Sequence, residues 1–427
     1  MSSVRRVLLK RSARHRIFAG MPERIGTVII GGGQAGLSVS HELARAGVSH
    51  VVLERGRVGQ SWRGRWDSFC LVTPNWSVQL PGHPYDGPEP DGFMPRDELV
   101  RYLEGYATAV DAPVRDGVTV SSVEAQPGGD FALITSAGGI VASNVVLCTG
   151  AYQRPLRPAG AATLPAALHQ MNASDYRNPE ELPPGQVLVV GSGQSGCQIA
   201  EELHKAGRDV LLACGRAGWA PRRIGGHDVF WWLQAAGDLD DPVDELPNQA
   251  ARLAANLQAS GHDGGHDLHY RTLQRMGVTL LGHFLGAEGP QGRFAADLAE
   301  SVAFGDQRNA KLMEGFRKAA ARLGLPEPEI PDPGPIEVDT PEQVDLSGLG
   351  AVVFAGGFRP DYRSWVHPRD AFDGLGFPIH EQGASTVVPG LYFAGVHFLR
   401  KRKSSLLIGV GEDAAIVAAQ IGERPRA

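Results

Sequence analysis

Two stretches of this chain repeat one pattern of apolar and polar positions. Residues 27–47 read TVIIGGGQAGLSVSHELARAG, and residues 187–207 read VLVVGSGQSGCQIAEELHKAG. Each opens on an apolar run short enough for a strand, passes a glycine loop and continues as a helix. A second apolar run, HVVL or DVLL, follows in each copy. Two further runs, NVVLCTGAY at 144–152 and AVVFAGGFRP at 351–360, stop at glycines. Runs apolar at successive positions suit central strands covered on both faces. Pro/Gly-rich segments at 176–185 and 324–338 mark crossings or surface loops. The region 225–322 reads as mostly helical, through DVFWWLQAAG, QAARLAANLQAS and RNAKLMEGFRKAAARLG.

The pattern predicts an α/β protein with two Rossmann-like, doubly wound units. We divide it into a basic extension (1–23), a first unit (24–178), a second unit with a helical elaboration (179–345) and a closing part (346–427). At 427 residues, 42% hydrophobic, the chain can bury large cores. Its net charge of −6 supplies no attraction to nucleic acid or an anionic membrane. No apolar run approaches the length that spans a bilayer. The four cysteines, Cys70, Cys148, Cys197 and Cys214, form no C-x-x-C pair, which argues against a redox dithiol and fits a reducing cytoplasm. Residues 1–20 carry six Lys and Arg and no acid. They read as a disordered extension, with Met21 as an alternative start and a transit peptide as the other reading.

The glycine loops can be compared position by position, because the second lies 160 residues after the first. Gly31 and Gly191 permit the tight turn, Gly33 and Gly193 the approach of a pyrophosphate, and Gly36 and Gly196 the packing of helix on strand. The helix start then offers free amides to phosphate. Glu54 stands 23 residues past Gly31, where a carboxylate binds ribose hydroxyls. The matching position is Cys214, followed by Gly215 and Arg216, then by Arg222 and Arg223. A carboxylate repels a 2′-phosphate, whereas guanidinium groups pair with it. The first loop therefore suits a free ribose and the second suits NADPH over NADH. Arg222 and Arg223 also read as solvated surface charges.

With VGQSWR at 58–63 added, the chain resembles the class B flavin-dependent monooxygenases, which include the flavin-containing, YUCCA-like and N-hydroxylating enzymes. The resemblance covers residues 24–423. It implies a glutathione-reductase-like flavoprotein with its NADPH domain inserted in the FAD domain. FAD would be held by Gly31, Gly33, Gln34, Ala35, Gly36, Glu54 and Arg55, with Ser61, Trp62 and Arg63 against it. Val120 would meet the adenine, Gly150 and Gly395 would end strands at the cofactor, and Ser405 and Leu406 would begin a helix facing the flavin pyrimidine ring. NADPH would be held by Gly191, Gly193, Gln194, Ser195, Gly196, Gly215, Arg216, Arg222 and Arg223. The basic run RKRK at 400–403 would lie on the flavin side or form a solvated turn. Three features depart from the group: Gln60 replaces a glycine, 355–357 reads A-G-G, and the linker keeps His169 while Tyr176 falls out of spacing.

The implied reaction is NADPH reducing the flavin, the reduced flavin taking O2 at C4a as a (hydro)peroxide, and one oxygen passing to a small organic substrate at nitrogen, sulfur or a carbonyl carbon. Asn75 and His397 are the catalytic candidates; Trp76, Trp231 and Trp232 are further aromatics, the last two read more readily as packing. His262, His266 and His269 have metal-like spacing, but Gly264 and Gly265 break the helix that would align them, so no metal is expected. The rivals are an NADPH-dependent reductase or oxidase without oxygen insertion, and a non-catalytic nucleotide-binding protein. A homodimer is admitted, not required.

Overall fold

The computed structural model describes residues 21–424; the basic extension 1–20 lies outside the described residues. The first sheet is built on β1 (Glu23–Ile30) and β2 (His50–Leu53), joined by helix α1 (Gln34–Arg45). β3 (Val120–Ala125), β4 (Phe131–Thr135) and β5 (Gly138–Leu147) form an antiparallel run whose last strand pairs parallel with β1. Val28 and Ile29 are fully buried on opposite faces of β1, as a central parallel strand requires.

A second sheet repeats the arrangement. Its order is β6 (His169–Asn172), β10 (Leu349–Phe354), β7 (Gln186–Val190), β8 (Val210–Ala213) and β9 (Thr279–Leu281), with every pair parallel. Helix α2 (Gln194–Lys205) connects β7 to β8. The chain then returns to the first sheet, first at Val366–His367 beside β3 and then through β11 (Leu391–Phe393), which pairs parallel with β5. The second unit is thus an insertion in the first.

Two expectations change. The boundaries at 178 and 346 leave β6 and β10 outside the second unit, yet both strands lie in its sheet. A parallel strand finds its partner far along the chain, so nothing local announces which sheet it joins. The segment QAARLAANLQAS forms only a 3-10 turn over Gln249–Leu253 and then runs extended. There the Gln194 side chain donates to the Leu257 carbonyl and the Gln258 amide donates to Gly218 O, and these contacts override helix propensity. Helix α3 (Leu298–Leu323) is regular over 26 residues, and Trp232 packs against its Phe316.

Candidate dinucleotide and flavin site

Both glycine loops are shaped by contacts that exclude any side chain. Gly31 has φ +113° and Gly191 φ +105°, the region where glycine is favoured. A Cβ on Gly36 would stand 1.9 Å from Gly31 O, and one on Gly196 would stand 1.9 Å from Gly191 O. In front of the loops the space is open. A Cβ on Gly33 would meet nothing within 4 Å, and one on Gly193 only Ala255 Cβ at 3.7 Å. Two cradles of this form fit two dinucleotides.

The loops differ in what closes them. In the first, the buried Glu54 carboxylate accepts from Gly32 N (2.8 Å) and Gly56 N (2.9 Å). In the second, Ser192 stands at the place of Gly32. Its hydroxyl accepts from Gly215 N (2.8 Å) and bonds the Tyr270 hydroxyl (2.6 Å). A Cβ on Gly32 would lie 3.0 Å from Glu54 Cβ, so a serine there and a glutamate at 54 compete for one space. The second loop has exchanged a carboxylate for a neutral hydroxyl. Arg216 follows, exposed and with no hydrogen bond to any described residue.

Each cradle is roofed by a remote loop through a glutamine at the equivalent position. Gln194 donates to Leu257 O (3.2 Å), and Gln34 donates to Ser405 O (3.3 Å). Gln34 also accepts from Trp62 Nε1 (3.0 Å), which brings Gln34, Trp62 and Ser405 together. Gly395, at φ +70°, rests on the start of α1; a Cβ there would be 2.4 Å from Ala35 Cβ. Gly150 O accepts from the Tyr362 hydroxyl (2.6 Å), and Val120 opens β3 opposite Thr135.

Between the cradles stand Tyr152 and His397, ring centroids 6.0 Å apart, with Phe358 5.6 Å from Tyr152. Tyr152 keeps 51% of its surface accessible while burial pushes its phenol up, the combination expected on a cleft wall. Burial pushes His397 down to about 4, so its imidazole is neutral at neutral pH.

Several anticipated residues have other work. Arg222 is 2% exposed, ion-paired with Asp228 (Nε–Oδ2 2.9 Å), donating to Val72 O and stacked 4.2 Å over Phe93. Arg223 reaches the same Asp228 carboxylate (3.1 Å). Asp228 and Phe93 claim both guanidiniums, whereas Arg216 has no partner among the described residues. The Asn75 amide is engaged at both ends, donating to Glu89 O and accepting from Met94 N, so it braces the 89–94 loop. Arg63 turns to Glu104 and Val58 O. The C-terminal helix, α4 (Val410–Glu423), begins later than residues 404–406. Arg402–Ser405 is a 3-10 turn, and Leu406 N donates to Lys403 O, so this amide is spent.

The RKRK turn is neither solvated nor free. Arg400 pairs with Asp413 (2.7 Å), Lys401 with Asp240 (2.7 Å), Arg402 with Asp241 (2.8 Å) and Lys403 with Glu412 (2.5 Å). Asp240 and Asp241 belong to the inserted unit, so the turn clamps it to the C-terminal segment that carries Ser405. His266 is held by Glu201 (2.7 Å), while His269 packs on Trp219.

A pyridine nucleotide-disulphide oxidoreductase family model matches residues 28–236. An uncharacterized CzcO-like oxidoreductase of Geobacillus kaustophilus (strain HTA426) is 31% identical over 396 residues, covering 92% of this chain and 97% of that one. The chain belongs to the CzcO-like oxidoreductases. The indole-3-pyruvate monooxygenase YUCCA4 of Oryza sativa subsp. japonica is 33% identical over 233 residues, 49% of this chain and 52% of that one. A flavin monooxygenase from Stenotrophomonas maltophilia shares the fold at TM-score 0.66 and 20% identity, over 94% of this chain and 98% of that one. The enzyme is an oxidoreductase. Among the described residues no helix is long and apolar enough to cross a membrane.

The sequence did not point to Ser192, Tyr270 or Gln258, whose amide donates to Ser192 O (2.8 Å). The one signal was the exchange of GGGQAG for GSGQSG, which becomes meaningful once Gly32 and Glu54 are seen in contact.

Proposed function

We propose that this enzyme uses NADPH and O2 to insert one oxygen atom into a small organic substrate at nitrogen, sulfur or a carbonyl carbon. The observation that carries the proposal is the contrast between the loops: Glu54 closing the first, Ser192 and an unpaired Arg216 at the second. A carboxylate suits a free ribose, so FAD belongs to Gly31, Gly33, Gln34, Ala35, Gly36 and Glu54, with Trp62, Val120, Gly150, Gly395 and Ser405 around it. NADPH belongs to Gly191, Gly193, Ser195, Gly196, Gly215 and Arg216. Bound together, the two cofactors supply the reducing power and the O2 chemistry. The chain itself holds both in place and keeps water from the reacting atoms. Neutral His397 and Tyr152 line the cleft as hydrogen-bonding groups, without a fixed charge. A thiol-based reductase is disfavoured, because all four cysteines are free and buried. Burial raises the Cys70 thiol to about 11.

Turnover of amines, sulfides and ketones with NADPH under 18O2 tests the reading. The expected product is heavier by one labelled oxygen. Stoichiometric hydrogen peroxide with no labelled product from any of them would identify the oxidase rival. For the coenzyme, Arg216→Ala should raise KM for NADPH about 10–100-fold, the loss of a charge-assisted bond of about 1.5–3 kcal/mol. KM for NADH should stay nearly unchanged, and an equal rise for both would remove the 2′-phosphate role.

A further inference from the structure

His283 follows β9, beyond any glycine motif. A Cβ placed on Gly215 would lie 3.0 Å from His283 Nε2, so this imidazole fills the space that a side chain at 215 would occupy. The matching position in the first loop is Arg55, which is exposed. The two loops therefore present different groups beside the adenosine end of the nucleotide: a local arginine in one, a histidine from the neighbouring strand in the other.

The ring is held more firmly than a half-exposed histidine needs. Its Nδ1 lies 2.5 Å from Asp297 Oδ2, and its backbone N donates to Asp297 Oδ1 (2.9 Å). A carboxylate only accepts, so Nδ1 carries the proton and Nε2 is turned toward Gly215. Asp297 is also the N-cap residue of α3, where an aspartate normally accepts from the first-turn amides. Here it makes no such cap bond. The longest helix of the described residues has its capping carboxylate diverted to a surface imidazole.

A diverted cap, a fixed ring and an unpaired Arg216 next to Gly215 form one arrangement. We propose that His283, positioned by Asp297, is a second recognition residue for the 2′-phosphate of NADPH, acting with Arg216. With a second proton at Nε2 the ring would donate to a phosphate oxygen, beside the exposed Arg216 that directly follows Gly215. Gly215 is then required for space as well as for its amide. This assignment rests on the reading of the second loop as the NADPH site.

The test uses the FAD-loaded enzyme, with 2′,5′-ADP and 5′-AMP as probes and Kd measured by calorimetry. Wild type should bind 2′,5′-ADP more tightly than 5′-AMP. His283→Ala should weaken 2′,5′-ADP about tenfold, about 1.4 kcal/mol, and leave 5′-AMP within about twofold. Asp297→Asn should weaken 2′,5′-ADP less than His283→Ala, and add nothing when combined with it. Equal weakening of both probes by His283→Ala would place the ring on the adenine or ribose and overturn the assignment. If Arg216→Ala weakens 2′,5′-ADP and His283→Ala does not, His283 has no role while the NADPH reading stands. If wild type binds both probes equally, the NADPH reading fails and takes this assignment with it.

Discussion

Gly36→Ala yields a colourless protein, and Gly196→Ala a yellow one that NADPH reduces only slowly. The two substitutions are sterically the same: each puts a methyl group 1.9 Å from a glycine carbonyl oxygen of its own loop. A backbone oxygen at the strand end cannot yield as a flexible side chain does, so loop and helix must part. The amides of the helix start are then lost to the phosphates. In the first loop the cost falls on the resident flavin, and the purified protein should lack its visible absorbance. In the second loop flavin should remain. Its reduction by NADPH should slow by about 100-fold, about 3 kcal/mol, whereas dithionite should still reduce it. Flavin content, circular dichroism and anaerobic reduction measured on both variants separate the roles. A Gly196→Ala enzyme reduced by NADPH at the normal rate would show that the second loop does not deliver the coenzyme.

Arg222→Ala should cost stability, not coenzyme selectivity. Removing one partner of a buried ion pair costs about 3–5 kcal/mol, because the remaining charge stays out of water. Burial pushes the Asp228 carboxyl up, while the adjacent guanidiniums pull it back down. Arg223, at the surface, compensates only in part. The expected result is a clearly lowered thermal midpoint with an unchanged ratio of KM values for NADPH and NADH. Arg222→Met with Asp228→Asn removes both charges, retains contact with Phe93 and keeps an acceptor for Phe230 N. It should recover most of the lost stability. A change in the NADPH/NADH ratio for Arg222→Ala, without loss of stability, would return Arg222 to the coenzyme site.

The arginine pair shows where reading the chain stops. Two arginines after a glycine-ended strand look like a phosphate site, and Arg216 keeps that character. Arg222 does not, because Asp228 six residues on and Phe93 from another segment reach it first. The two cradles were legible because their logic is local: strand, turn and helix lie within about 30 residues. Glu54 against Cys214 was legible by the same token. His283 was not, since it meets Gly215 only when β9 pairs with β8. The start of α4 was misplaced although its signal was present: Glu412 and Asp413 are first-turn acids that favour a helix beginning at Val410. The serines at 404 and 405 offer a competing start, six and five residues earlier than Val410. Ser404 does close a turn, accepting from Arg400 N and Lys401 N.

The RKRK clamp has a consequence in temperature. The hydration of charged groups becomes less favourable on heating, so forming an ion-pair network costs less as the temperature rises. The seam between the inserted unit and the C-terminal segment is held by four cations and the acids Asp240, Asp241, Glu412 and Asp413. Warming therefore spares this seam relative to the apolar contacts elsewhere. The turn carrying Ser405, and the Gln34 contact that roofs the first cradle, keep their places when other loops have begun to loosen.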